Sequence, residues 1–391
     1  MMKKNFLDSF DKNNPYLWIS AKEQLTPDEI KAFIIEVLGP YIEDKEYLMR
    51  NATGVLAVEA ANIAKILSRP DWNELFETTL ETYYQAESKN SNLLFKTIAM
   101  MEKELDKGLA DFTAQVNFEV EKKDLDLEEL RFECFRNIGL LTESPLQTYL
   151  REFLCVLRLA EGNNELNHIN EMSLGAIVSE IESKIANKSL VSPEPWNLKI
   201  SEWRNIAQHF DSKVDGKFIV CKYGKNRSKI VKLTQTDVLN LTKEVMRRLS
   251  IFKGAREIFI FNNMKELEKH VEKKESDTST KFFYLASAFS TQGFKTIHTD
   301  YSDRQVTFGL RDMFPNLGTN REMHCAQFLL SIYNFFPDKD IVVIYHDPSK
   351  NIETVFSADK TGLRKVLESE EPWDLYRQIL RAYKRPATLN S

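Results

Sequence analysis

Apolar residues recur at helical spacing through most of the first 250 positions. Thr26-Pro27-Asp28-Glu29 sets a cap residue before a proline at the first helical position, opening a helix through Ile30, Phe33, Ile34 and Val37 that Gly39-Pro40 ends. Leu56, Ala60, Ile63 and Leu67 keep the period and predict a second helix from Tyr47 to Leu67. Ser68-Arg69-Pro70-Asp71 is a stop. Asp71 can cap a helix through Trp72, Leu75 and Phe76, and the pattern continues from Leu93 to Phe118. The acidic stretch Glu119 to Glu129 has Leu125 and Leu127 interleaved, so it reads as a solvated helix start rather than a linker. Pro145 opens a helix with Tyr149, Phe153, Val156, Leu157 and Ala160 on one face, and Ser173 to Ile185 forms the next. After the stiff Ser192-Pro193-Glu194-Pro195 loop, another helix begins near Leu198, with Trp196 and Trp203 as packing residues.

There the period changes from helical to two. Lys217 to Tyr223 and Ser228 to Leu233, joined at Gly224-Lys225-Asn226-Arg227, predict a hairpin. Thr234-Gln235-Thr236-Asp237 then caps a helix that buries Val238, Leu241, Val245 and Leu249. Further on, Ala255 to Asn262 looks strand-like, Met264 to Lys274 a charged helix, and Glu275 to Thr280 a polar break. Strands are expected at Phe282 to Phe289, Gln305 to Leu310, Ile341 to Tyr345 and Ile352 to Phe356. Helices are expected at Arg321 to Tyr333, Thr361 to Leu367 and Pro372 to Tyr383, followed by a loose tail from Pro386. The chain therefore reads as mainly α in three parts. Residues 1–143 form a helical domain, 144–254 a helical bundle with an inserted hairpin, and 255–391 an α/β or α+β domain, a candidate sensor or regulatory part.

With 391 residues there is room for this organisation, and 42% hydrophobic with 28% charged residues is ordinary for a globular protein. The net charge of −5 argues against a general nucleic-acid coat, so any such contact must come from a local patch. Cys134, Cys155, Cys221 and Cys325 show no paired spacing, which suggests reduced thiols and no structural zinc. The Met1 to Asp8 opening lacks the apolar core of a signal peptide, and no apolar run approaches the ~20 residues a membrane span needs, so a cytoplasmic protein is expected. His298, His324 and His346 have no metal-ligand spacing, and His346-Asp347-Pro348 reads as a turn. No metal or cofactor is expected.

The one stretch with recognisable chemistry is Trp203-Arg204-Asn205-Ile206-Ala207-Gln208-His209. Arg204 is a permanent cation able to hold a phosphate bidentately, and His209 titrates near neutral pH and can move protons. Together they suffice to cut RNA without a metal. The guanidinium grips the scissile phosphate while the imidazole serves the 2′-OH and the leaving oxygen. Asn205 lies four residues before His209 and so could orient the ring, whereas Arg204 is about 140° away on an ideal helix and is better placed to act with a second copy. Lys217, Lys222, Lys225, Arg227, Lys229 and Lys232 make the hairpin basic, with Asp211 and Asp215 as nearby opposing charge. Such a ribbon either guides RNA phosphates or protects a sheet edge from mispairing.

Arg204-Asn205-Ile206-Ala207-Gln208-His209 resembles the motif of the HEPN superfamily, in which Arg, a following polar residue and a His after four to six positions lie within a helical bundle. The resemblance spans about residues 145–253. It implies that Arg204 and His209 are catalytic, acting across a homodimer, with Asn205 in the motif's polar position. The activity so implied is a metal-independent endoribonuclease leaving a 2′,3′-cyclic phosphate, serving as a toxin or antiviral-defence effector, with an antitoxin or regulatory partner conceivable. The alternative is a catalytically inactive bundle used for binding or dimerisation. The enzyme reading requires an accessible His209, and the binding reading a buried and satisfied one.

Overall fold

The computed structural model describes residues 27–51, 56–115, 125–271, 278–316, 321–350, 352–369 and 372–387. The Met1 to Asp8 opening, the Thr26 cap, residues 119–124 of the acidic stretch, residues 275–277 of the polar break and the last four residues lie outside these. The chain divides into two compact units, one of residues 62–273 and one drawn from 1–61 and 274–391. The expected boundary at 143 does not coincide with this division, because the helices before it pack with those that follow.

Helices α1 (Pro27–Leu38) and α2 (Lys45–Asn51) precede α3 (Ala57–Leu67), within which the division falls. The predicted helix from Tyr47 to Leu67 is thus described as two segments. In the 62–273 unit, α4 (Pro70–Gln115) is long and breaks at Asn90, whose backbone is non-helical at φ −156°. The Asn90 side chain accepts the Leu93 amide at 3.2 Å, restarting the ladder. Helix α5 (Leu127–Leu141) begins with a capping box in which Asp126 and Glu129 satisfy each other's backbone amides.

Pro145 does not open the next helix as expected. It sits inside a π-helical turn, Thr142–Leu146, that carries the chain directly into α6 (Gln147–Ala160). Proline removes an amide donor and crowds the preceding carbonyl, so the wider turn keeps the axis running where an α-turn would clash. Helix α7 (Leu174–Lys184) is capped by Ser173 and clamped to α6 by Arg158, which donates to both carboxylate oxygens of Glu180 at 2.7 Å.

Then come α8 (Ile200–Gln208), the antiparallel ribbon β1 (Ser212–Asp215), β2 (Phe218–Tyr223) and β3 (Lys229–Leu233), and α9 (Gln235–Asn262), opened by the Thr234/Asp237 capping box. The ribbon has one more strand than the predicted hairpin. Ala255 to Asn262, expected as a strand, forms the last turns of α9. Ala255, Ile258 and Phe259 are fully buried at helical spacing, and a short apolar run cannot by itself distinguish the two periods.

In the other unit, the five-stranded sheet runs in the order β4 (Phe294–Tyr301), β5 (Gln305–Asp312), β6 (Asp340–His346), β7 (Ile352–Ala358), β8 (Arg381–Pro386). Only β5 and β6 are parallel, joined through α11 (Arg321–Phe335), which follows α10 (Thr278–Thr291) in chain order. Phe282 to Phe289 was expected as a strand and lies in α10, where Phe282, Leu285 and Phe289 pack into the core shared with Phe308 and Phe328. The predicted last helix, Pro372 to Tyr383, splits into α13 (Pro372–Ile379) and the edge strand β8, after α12 (Lys360–Leu367). Arg385 of β8 ion-pairs with the fully buried Glu353 of β7 at 3.0 Å, which favours strand over helix there. The fold is mainly α with two small sheets. Among the described residues no helix is long and apolar enough to cross a membrane.

Candidate functional site

Helix α8 is nine residues long and anchored by its inner face. Trp203 is fully buried, edge-on to Trp196 at 6.1 Å between ring centroids, and Ile206 is buried beside it. That leaves Arg204 and Asn205 half-buried on the rim. The Arg204 Nε lies 3.2 Å from a Glu143 carboxylate oxygen on the π-turn, an ion pair off hydrogen-bonding alignment that leaves Nε itself unbonded.

His209 caps the helix. Its amide donates to the Asn205 carbonyl at 3.0 Å, and its side chain is exposed. Because the cap residue leaves helical geometry, the 140° separation of an ideal helix no longer governs where the imidazole points. Among the described residues neither the Asn205 amide group nor the His209 ring has a side-chain hydrogen bond. The motif residues are therefore brought to one end and one rim of α8, but Asn205 does not orient the ring. What links them is backbone.

Helix α8 ends because Phe210 turns into the left-handed region at φ +52°. For a residue with a Cβ that costs roughly 1–2 kcal/mol, so neighbouring contacts must impose it. They are visible. The Asp211 amide donates to the Ile206 carbonyl at 3.1 Å, its carbonyl accepts the Lys222 amide of β2 at 2.8 Å, and its carboxylate pairs with Arg227 at 2.8 Å. At the far end of α8, Glu202 accepts the Gly224 amide at 3.3 Å, where Gly224 has φ +77°. The ribbon is thus stitched to both ends of α8.

Lys217, Lys222, Lys225, Arg227 and Lys229 are all exposed, yet they do not form a single patch. Lys217 lies in the β1–β2 turn, at the opposite end of β2 from Lys225 and Arg227. Arg227 is already neutralised by Asp211, and Lys229 sits 5.9 Å from the Tyr223 ring centroid.

Sequence reasoning passed over three residues at this end of the unit. Glu143 competes for Arg204, and its position depends on the π-turn. Phe210 is 71% exposed and Phe132, on α5, is 48% exposed. They line a groove of ≈ 230 Å³ together with Phe135, Gly139, Ala207 and the flanking Arg131 and Arg136. Arg131 bonds the Ser212 carbonyl and hydroxyl at 3.3 and 3.0 Å, tying β1 to α5. Phe210 stands next to His209 in sequence, and that adjacency is its one available signal.

Elsewhere, His346 ends β6 and the turn that was read there begins after it, at Asp347-Pro348. The Asp347 side chain accepts from Ser349 N at 2.9 Å, and its carboxyl stays below the ordinary range because Lys350 and Ser349 hydrogen-bond it, outweighing its burial. All four cysteines are buried thiols, with burial pushing Cys155 and Cys221 up to about 12. No family model, curated protein or solved structure matches the chain.

Proposed function

We propose that the α8 unit is a metal-independent endoribonuclease of the HEPN kind. The observation that carries this is the exposed, unpartnered imidazole of His209 at the end of α8, with Arg204 on the rim of the same short helix. A histidine buried against a carbonyl or carboxylate would instead fit the binding reading. This one is free to meet substrate.

In the proposed reaction the 2′-oxygen attacks the adjacent phosphorus as its proton passes to a basic group. The 5′-oxygen leaves with a proton, and the product is a 2′,3′-cyclic phosphate with a free 5′-hydroxyl. His209 exchanges protons at these oxygens and Arg204 neutralises the phosphoryl oxygens. The exposed ribbon cations supply sequence-neutral attraction to the RNA backbone. Two copies meeting near α8 would put an Arg204 of one beside a His209 of the other, and damage to host or invader RNA gives the toxin or antiviral role.

A second reading is favoured by one contact. Glu143 holds Arg204 at 3.2 Å, as it would in an inactive bundle used for binding or dimerisation. RNA cleavage by the purified chain decides between them. Arg204→Ala and His209→Ala should each lower the rate by ~10²–10⁴-fold without changing the melting temperature, and EDTA should leave the parent rate unchanged. Near-parent cleavage by either variant sinks the enzyme assignment.

A further inference from the structure

Phe210 combines features that a structural residue does not need. It is a bulky side chain in the left-handed region, directly after His209, with 71% of its surface exposed. Burying a ring repays backbone strain, but an exposed ring repays nothing within the chain. The strain is nonetheless imposed from two sides, by the Asp211 amide on Ile206 and by the Asp211–Arg227 pair. Strain held at an exposed position beside a reactive group points to function.

Across the groove stands Phe132, 48% exposed, and Phe135 lies deeper. Gly139 lines the groove beside Ala207. The opening of ≈ 230 Å³ is below the ~300 Å³ at which whole-ligand pockets begin, and suits one planar ring rather than a complete small molecule. Arg131 and Arg136 stand on the α5 wall, each ion-paired on its own helix, Arg131 with Glu128 at 2.5 Å and Arg136 with Glu133 at 2.8 Å. Exposed aromatic rings at a groove edge offer a sequence-tolerant stacking site for a base, because every base has a π-face.

We infer that Phe210 and Phe132 form a stacking platform for one unpaired RNA base next to the scissile phosphate. This rests on the ribonuclease reading of Arg204 and His209 and adds the substrate class: single-stranded RNA, with a base required at one position beside the cut. The aromatic surface consists of two exposed rings, small beside the ~800 Å² per partner of a specific protein interface, so a base is the better occupant than a second copy.

The test measures binding of the full-length chain to a fluorescent single-stranded RNA made uncleavable by a 2′-O-methyl group. Parent, Phe210→Ala, Phe210→Gly, Phe210→Trp and Phe132→Ala are compared, and an abasic residue is moved along the RNA. Phe210→Ala should weaken binding by about tenfold, within the range stacking of one base supplies, while Phe210→Trp retains it. An abasic residue at one position should cause the same loss, and combining it with Phe210→Ala should add nothing more.

Phe210→Gly supplies an independent control. Glycine accepts φ +52° without strain, so this variant should melt no lower than the parent while binding as weakly as Phe210→Ala. Unchanged affinity in the Phe210 variants overturns the platform, as does a loss that no abasic position reproduces. A shift from dimer to monomer in Phe210→Ala overturns it in favour of a protein contact. If the parent binds no RNA, both readings fall. If Phe210 controls binding while His209→Ala still cleaves, only the catalytic assignment falls.

Discussion

Replacing Glu152 by Ala should cost about 3–4 kcal/mol of stability in the 62–273 unit. Glu152 of α6 is fully buried and accepts from Arg256 Nε at 2.9 and 3.1 Å and from the Tyr83 hydroxyl at 2.8 Å. Arg256 of α9 is 1% exposed and also pairs with Glu102 and Glu257. Losing one partner of a buried pair costs about 3–5 kcal/mol. The lower end applies, because Glu102 and Glu257 keep part of the charge balanced, and about 1 kcal/mol is added for the orphaned Tyr83 hydroxyl. Removing both charges as Glu152→Leu with Arg256→Met should recover part of that loss, since no buried ion is left facing an apolar replacement, while Glu102, Glu257 and the Tyr83 hydroxyl still lose a partner. Urea unfolding followed by tryptophan fluorescence reports on this unit once Trp18 and Trp373 of the other unit are replaced by Phe, leaving Trp72, Trp196 and Trp203. A loss under about 1 kcal/mol for Glu152→Ala, or strictly additive single and double variants, would refute the reasoning.

Glu143→Gln should release Arg204 and raise affinity for uncleavable RNA severalfold at low salt; an unchanged constant would mean that Arg204 touches no phosphate. Replacing Lys222, Lys225, Arg227 and Lys229 with Ser should weaken RNA binding and flatten its salt dependence by about 0.7 for each phosphate no longer neutralised, and superimposable salt series would assign the ribbon to edge protection alone. Asp106, whose carboxyl is pushed up to about 6 by burial and by neighbouring Glu102, binds its proton more tightly folded than unfolded. The folded state therefore loses stability as pH rises from about 4 to 6. Asp106→Asn should gain at most about 1 kcal/mol above pH 6, because the residue is exposed and solvent screens it, and nothing below about pH 4. Thermal melts across that range read it out, and a gain independent of pH would place the cause elsewhere.

Much of the helical architecture was legible in the sequence, because each helix carries its own instructions. Thr234 occupies the cap position its spacing announced, and the inward faces of α6, α7 and α9 bury most of the residues their period selects. The motif was likewise legible as six consecutive residues. Errors gathered where the local signal is degenerate. Ala255 to Asn262 and Phe282 to Phe289 are short apolar runs that suit a strand or a buried helix equally, and only packing on two sides chose helix. Strand β4 was missed because Phe294 to Tyr301 is half polar and becomes a strand through its ladder to β5.

The candidate site depended most on tertiary structure. Spacing placed Arg204 and His209 within six residues, but it could not reveal that Glu143 would reach Arg204 from a π-turn created by Pro145. Nor could it show that Asp211, held by β2 and Arg227, would force Phe210 out into solvent opposite Phe132. These partners lie 61 and 78 residues from the ones they meet (204 − 143 and 210 − 132). Capping and periodicity act within a turn or two of helix and are written in neighbouring letters. Charge pairing and ring placement act through space, so they are decided only when α5, α8 and the ribbon have packed.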